Sequence, residues 1–152
     1  MGSSPPSEPD EPDLRLGGFS LWIRHRQFPD AADYWDGNWL EARAVMEAPG
    51  ARVEIHGPFI HASEITAFAQ ELSRLDETLQ GEARLGRIEP HLEVVMRIDG
   101  LGHLAVIVDI TPDPFSQAHR FEFALDQTYL APLRAACGTI LDCFPVRGAE
   151  HL

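Results

Sequence analysis

Lysine is absent from the chain: all 12 of its permanently basic side chains are arginine. A lysine Schiff base and the lysine of a Walker-type phosphate loop are excluded with it. Cysteine is nearly absent. Cys137 and Cys143 stand six residues apart in what reads below as one helix, about 9 Å along the axis and beyond disulfide reach. Two reduced packing thiols are expected. No apolar stretch approaches the roughly 20 residues that cross a hydrocarbon core, so no membrane span is expected. The opening MGSSPPSEPDEPD offers neither a basic nor an apolar segment, which argues against a secretory signal and for a cytoplasmic protein. Also missing are a G-x-S-x-G elbow, H-E-x-x-H and C-x-x-C, the spacings that announce a nucleophile, a zinc site or a redox pair.

Positive charge is scarce as well. The 24 Asp and Glu residues outnumber the arginines twofold and give a formal net charge of −12. Of this, −3 falls in residues 1–16 and −9 in residues 17–152, so the folded part is itself acidic. Nucleic-acid binding needs a basic stripe that displaces counterions, and no arginine cluster supplies one. An acidic surface suits a basic protein partner, or simply solubility.

What is present fits one domain: 152 residues with 44% hydrophobic letters. Residues 1–16 combine four prolines with acids, Ser and Gly, a composition expected to stay disordered; residues 149–152 are expected to be a flexible end, leaving 17–148 as the domain. Phe19, Leu21 and Ile23 alternate with polar neighbours as in a strand, a loop spans Gln27 to Gly37, and a second strand starts near Asn38 with Leu40, Ala42, Ala44 and Met46 on one side. Pro49-Gly50 turns the chain into a third strand around Val53 and Ile55. From Ser63 the period becomes helical, with Ile65, Phe68, Ala69, Leu72, Leu75 and Leu79 on one stripe, Ser63 as N-cap and Gly81 at C′. Four strands follow at Ala83 to Ile88, Leu92 to Ile98, Leu104 to Ile110 and Arg120 to Leu125. A last helix begins near Thr128 and ends before Pro145. The order βββαββββα predicts an α+β domain, with an antiparallel sheet of about seven strands and both helices on one face. The outer face, mixed in Glu and Arg, is expected to be wet, with cross-strand ion pairs or room for a partner.

Several residues invite chemistry. Asp30, Asp33 and Asp36 recur at every third position in FPDAADYWDGNW, but the spacing is not that of a D-x-D-x-D-G calcium loop. These acids suit either a polar structural loop, with Asp36-Gly37 as a turn pair, or, with Tyr34, Trp35 and Trp39 beside them, a protein contact anchored by aromatics, although Trp39 also suits packing within the following strand. The seven histidines are dispersed and place no pair on an i, i+4 helix face. Cys137 sits among the small apolar neighbours of a buried helix face, where thiols are inert. No metal, cofactor or catalytic residue is assigned.

The segments RQFPDAADYWDGNWLEARAV, GPFIHASEITAFAQELSRL and EPHLEVVMRI, followed by FPVRG, resemble the WapI family of immunity proteins. The shared pattern is D-Y-W-D-x-N-W-L entering a strand, an E-[IL] pair opening a helix, an E-P-x-L strand and a closing F-P-[IV]-R. These fall at Asp33 to Leu40, Glu64-Ile65, Glu89 to Leu92 and Phe144 to Arg147, and coverage runs over about residues 24–148. Gly37 stands where a bulkier polar residue is usual. The resemblance implies a cytoplasmic antidote that binds the C-terminal domain of a secreted or contact-delivered bacterial toxin, in the namesake case an RNA-cleaving one.

Together these readings predict a non-enzymatic immunity protein that occludes a cognate toxin domain of basic character. Its predicted contacts are Asp30, Asp33, Tyr34, Trp35 and Asp36, with neither nucleic acid nor membrane as partner. The competing readings are a small-molecule or regulatory module using the helix–sheet crevice, and an enzyme built on His56, His61 or Asp36.

Overall fold

A computed structural model describes residues 11–149. Eight strands and two helices follow one another: β1 (Leu14–Leu16), β2 (Phe19–Arg26), β3 (Trp39–Ala48), β4 (Ala51–His61), α1 (Ala62–Thr78), β5 (Glu82–Leu85), β6 (Leu92–Ile98), β7 (His103–Ile110), β8 (Arg120–Asp126) and α2 (Leu130–Cys143). The α+β class, the antiparallel pairing and both helices are as the sequence predicts. The strands divide between two four-stranded meanders, β1-β2-β3-β4 and β5-β6-β7-β8, where a single sheet was expected. Alternation reports which face of a strand is buried and is silent on which sheet it joins. The break falls where β4 runs directly into α1 and β5 pairs with β6 instead.

β1 occupies the end of the expected tail: Leu14 and Leu16 are buried and pair with Leu21 and Phe19. The rest of that tail up to Asp10, and the expected flexible end from Glu150, lie outside the described residues. β4 is longer than its apolar alternation suggested. An irregularity in the β3–β4 register between Leu40 and Ala42 accommodates Gly57, at φ +138°, and Pro58 within an edge strand, where a missing N–H is tolerated. β5 is shorter than Ala83 to Ile88 because the chain turns at Gly86, whose φ is +85° and where a Cβ would meet the Leu92 carbonyl at 2.3 Å.

Helix α1 also starts and stops differently. His61 takes the N-cap position with Glu64 reaching back to its amide, and Leu79, at φ +53°, takes the left-handed position at the end instead of Gly81. α2 is preceded by a 3-10 turn, Gln127–Tyr129, in which the Asp126 carboxylate accepts from the Thr128 amide. The helices pack on each other, α1 over β5 and α2 against β1. One core joins both sheets and both helices, with Phe19, Leu40, Ile60, Phe68, Leu72 and Met96 fully enclosed. No helix among the described residues is long and apolar enough to cross a membrane.

The outer faces carry the expected ion pairs. On the first sheet Glu54 lies 3.0 Å from Arg43 and 2.7 Å from Arg52, and accepts from His56 at 2.5 Å. Hydrogen bonds from Arg43, Arg52 and His56 hold the Glu54 carboxyl down at about 2 against the opposing cost of burial. On the second sheet Arg97 and Arg84 meet Glu82 at 2.9 and 3.1 Å, and Arg120 meets Asp109 at 2.9 Å.

Candidate functional site

The connection between β2 and β3 is pinned from beneath by three residues far apart in sequence. Arg26, at the end of β2, is buried; its guanidinium donates to the carbonyls of Gly37 (2.6 Å) and Pro145 (2.5 Å) and to Asn38 Oδ1 (3.3 Å). Asn38, fully buried, donates through Nδ2 to the Tyr34 and Arg147 carbonyls at 2.6 and 2.9 Å and accepts from the Arg147 amide at 2.8 Å. Arg147 closes the circuit, donating to the Pro29 and Ala31 carbonyls at 2.6 and 2.9 Å. Burial first, and the nearby Arg147 charge second, push the Arg26 guanidinium below its ordinary pKa. Such a network is fully satisfied only in one loop geometry, so it fixes that geometry.

Gly37 belongs to this clamp. A Cβ there would lie 2.6 Å from the Ala31 carbonyl oxygen, so the bulkier residue usual at this position has no room in this loop. A second anchor is His61, fully buried, whose ring lies 5.4, 5.2 and 5.0 Å from those of Tyr34, Trp35 and Trp39. Its Nε2 donates to the Trp35 carbonyl at 3.0 Å, which leaves Nδ1 to accept from Ser63 Oγ at 2.6 Å.

On this frame the predicted contact residues separate. Tyr34 is half-buried, whereas Trp35 is 51% exposed with one side of its indole edge-on to Trp39, the centroids 5.3 Å apart. Asp33 is exposed and accepts from the Asp36 amide at 2.9 Å, at the start of the short 3-10 turn Asp36–Asn38. Asp30 and Asp36 are exposed, and among the described residues none of these three acids forms an ion pair. Beside Tyr34 an open groove of about 490 Å³ runs between the start of α1 and the β5–β6 connection, lined by Ser63, Thr66, Gln70, Ile88 and Val146 among others. Glu64 forms its floor: besides capping His61 it accepts from the Arg87 and Ile88 amides at 2.6 and 3.2 Å.

The two histidines of the enzyme reading are held in unrelated settings. His61 is enclosed in its aromatic cage, while His56 hydrogen-bonds Glu54 and Arg24 on the outer face of the first sheet. Burial pushes the Cys137 thiol up to about 12, far from a usable thiolate. Among the described residues no group of His, Cys, Asp and Glu converges to hold a metal ion.

Sequence reasoning missed Arg26, Asn38, Arg147 and Glu64 as a working set. A signal was available: Asn38 and Arg147 are the N of D-Y-W-D-x-N-W-L and the R of F-P-V-R, two motifs that the fold brings into direct contact.

Compared with known proteins, the sequence matches the Immunity protein WapI-like family over residues 14–145. The chain belongs to this family. No curated protein matches it. Among solved structures, a chain of the CdiA-CT/CdiI toxin and immunity complex from Enterobacter cloacae is similar, with a TM-score of 0.45 and 10% identity, covering 80% of this chain and 99% of that one. In this WapI-like chain the motif residues Gly37, Asn38, Trp39, Glu64 and Arg147 build the frame, and Asp33, Trp35 and Asp36 stand on it.

Proposed function

We propose that this chain is a non-catalytic antidote that binds the C-terminal domain of a bacterial toxin in the cytoplasm and blocks it by occlusion. Membership of an immunity protein family over nearly the whole described chain carries the reading. The loop geometry supports it: a half-exposed tryptophan and carboxylates that form no ion pair among the described residues, on a connection that a buried network keeps rigid, so little ordering entropy is lost on binding. Asp30, Asp33, Tyr34, Trp35 and Asp36 make the contact. Their charge selects a basic partner such as a nuclease domain, RNA-cleaving in the namesake case, steered in by the acidic field.

The test begins with the immobilised chain in lysate of its own organism. A retained C-terminal fragment of a large secreted protein is identified by mass, then produced as a recombinant toxin domain. Co-expression of the chain should restore growth to cells making that domain, and the association rate should fall steeply as salt rises. Growth arrest that persists with the chain present at excess overturns the proposal. The groove beside Tyr34 favours a second reading, a regulatory module holding a small ligand. A bound small molecule in native mass spectrometry, with no protein retained, would select it.

A further inference from the structure

We infer that the partner surface is a strip running from Trp35 past Ile88 to Phe115, and that it receives a basic toxin domain whose apolar side chains seat at those three points. The inference rests on the immunity reading and extends its surface. A stable interface takes about 800 Å² and roughly 20–30 residues from each side, more than the short loop from Asp30 to Asp36 can offer. Further surface must join the loop, and hydrogen bonds show where it is continuous.

Tyr34 borders the groove, one wall of which is the β5–β6 connection with Ile88, 41% exposed. Glu64 fixes that wall to the first turn of α1 through the Arg87 and Ile88 amides. Three residues on, the His91 carbonyl accepts from the Thr111 amide at 2.9 Å and joins the same connection to the β7–β8 turn. There Asp113 accepts from the Phe115 amide at 3.0 Å and from Ser116 Oγ at 2.6 Å, while its carbonyl accepts from the Gln117 amide at 2.9 Å. This built turn holds Phe115 99% exposed. A phenylalanine that buries nothing contributes nothing to folding, and an ordered turn presenting it is the arrangement of an interface anchor.

Charge identifies the occupant. Asp30, Asp33 and Asp36 form no ion pair among the described residues, while Arg87 is occupied by Glu71 at 3.1 Å and Arg147 by carbonyls. The Trp35 end of the strip therefore sets free acids beside its apolar point, complementary to a basic domain and repulsive to a second copy of this acidic chain. Leu101 supplies the control: it is 83% exposed, but in the β6–β7 turn at the opposite end of the second sheet.

The experiment measures affinity of the recombinant toxin domain for the wild-type chain and for Trp35→Ala, Ile88→Ser, Phe115→Ala and Leu101→Ser, with a thermal melt for each. Trp35→Ala, Ile88→Ser and Phe115→Ala should each weaken binding at least about tenfold, and Leu101→Ser should leave it within about twofold. Hydrogen exchange at 86–91 and 111–117 should slow in the complex. Trp35→Ala weakening binding while Phe115→Ala and Ile88→Ser leave it unchanged, with no slowed exchange, overturns the strip and leaves the immunity reading standing. A toxin domain that fails to bind the wild-type chain overturns both. Phe115→Ala, fully exposed, carries the test alone should Ile88→Ser not fold.

Discussion

The two sides of the β2–β3 connection obey opposite rules. Beneath it Arg26, Asn38, Arg147 and His61 are held in place, and the polar atoms of the clamp find partners within the fold. Above it Asp30, Asp33, Trp35 and Asp36 face solvent, and among the described residues the acids form no ion pair of the kind that neutralises Glu54, Glu82 and Asp109 on the sheets. One short stretch of sequence thus writes both a rigid support and a surface free to meet something else. The lower side concerns stability and the upper side partner choice, and substitutions should separate the two.

Asn38→Ala should have the largest effect on the lower side. It strands the Tyr34 and Arg147 carbonyls and the Arg147 amide, and at about 1–3 kcal/mol for each buried group left unpaired, partly relieved by water, the loss is about 3 kcal/mol. A chain of this size should then melt roughly 6–12 °C lower, as read by calorimetry. A drop below about 2 °C would show that the clamp contributes little. Arg147→Lys is milder. It keeps the charge but loses the planar guanidinium that holds one nitrogen, Nη1, between the Pro29 and Ala31 carbonyls, for about 1 kcal/mol, and it should speed amide exchange in 28–36.

The ion-paired sheet face sharpens the comparison through pH. The folded Glu54 carboxyl titrates at about 2, below its ordinary 4.5, so its contribution is complete above pH 4.5 and is lost as pH falls toward 2. Its side chain is 25% exposed, and after allowance for solvent screening about 1–2 kcal/mol is at stake. Glu54→Gln should be less stable than wild type at pH 7 and lose less stability between pH 4.5 and 2 in denaturant titrations. Parallel curves for the two proteins would assign the acid response elsewhere.

Much of this was legible from sequence where periodicity governs. The stripe from Ile65 to Leu75 predicted the buried face of α1, and the alternation in β6 and β8 predicted their inner faces in the second sheet. The motif loop could be located too, with its exposed acids. What periodicity could not carry was contact between distant segments. Asn38 and Arg147 lie 109 residues apart and have no rhythm in common, so their pairing emerges only in the fold. The division into two sheets escaped for the same reason, since hydrophobic alternation is local and strand neighbourhood is not. Phe115 was passed over because an aromatic among Pro, Asp and Ser reads as an ordinary loop until its full exposure is seen.

The smallest expected change in stability tests the upper side. Replacing Asp30, Asp33 and Asp36 together by Asn alters groups that are exposed and free of ion pairs among the described residues, and the carboxamide introduced by Asp33→Asn keeps an oxygen to accept from the backbone amide at position 36. The melt should move by no more than about 0.5 kcal/mol, with an unchanged circular dichroism spectrum. Affinity for the recombinant toxin domain should nonetheless fall, chiefly through a slower association rate, and the dependence of that rate on salt should flatten because long-range steering is what was removed. A variant that melts early would place the acids in the support. One that binds with wild-type rate and salt dependence would remove them from the interface, leaving Trp35 and the apolar points to account for recognition.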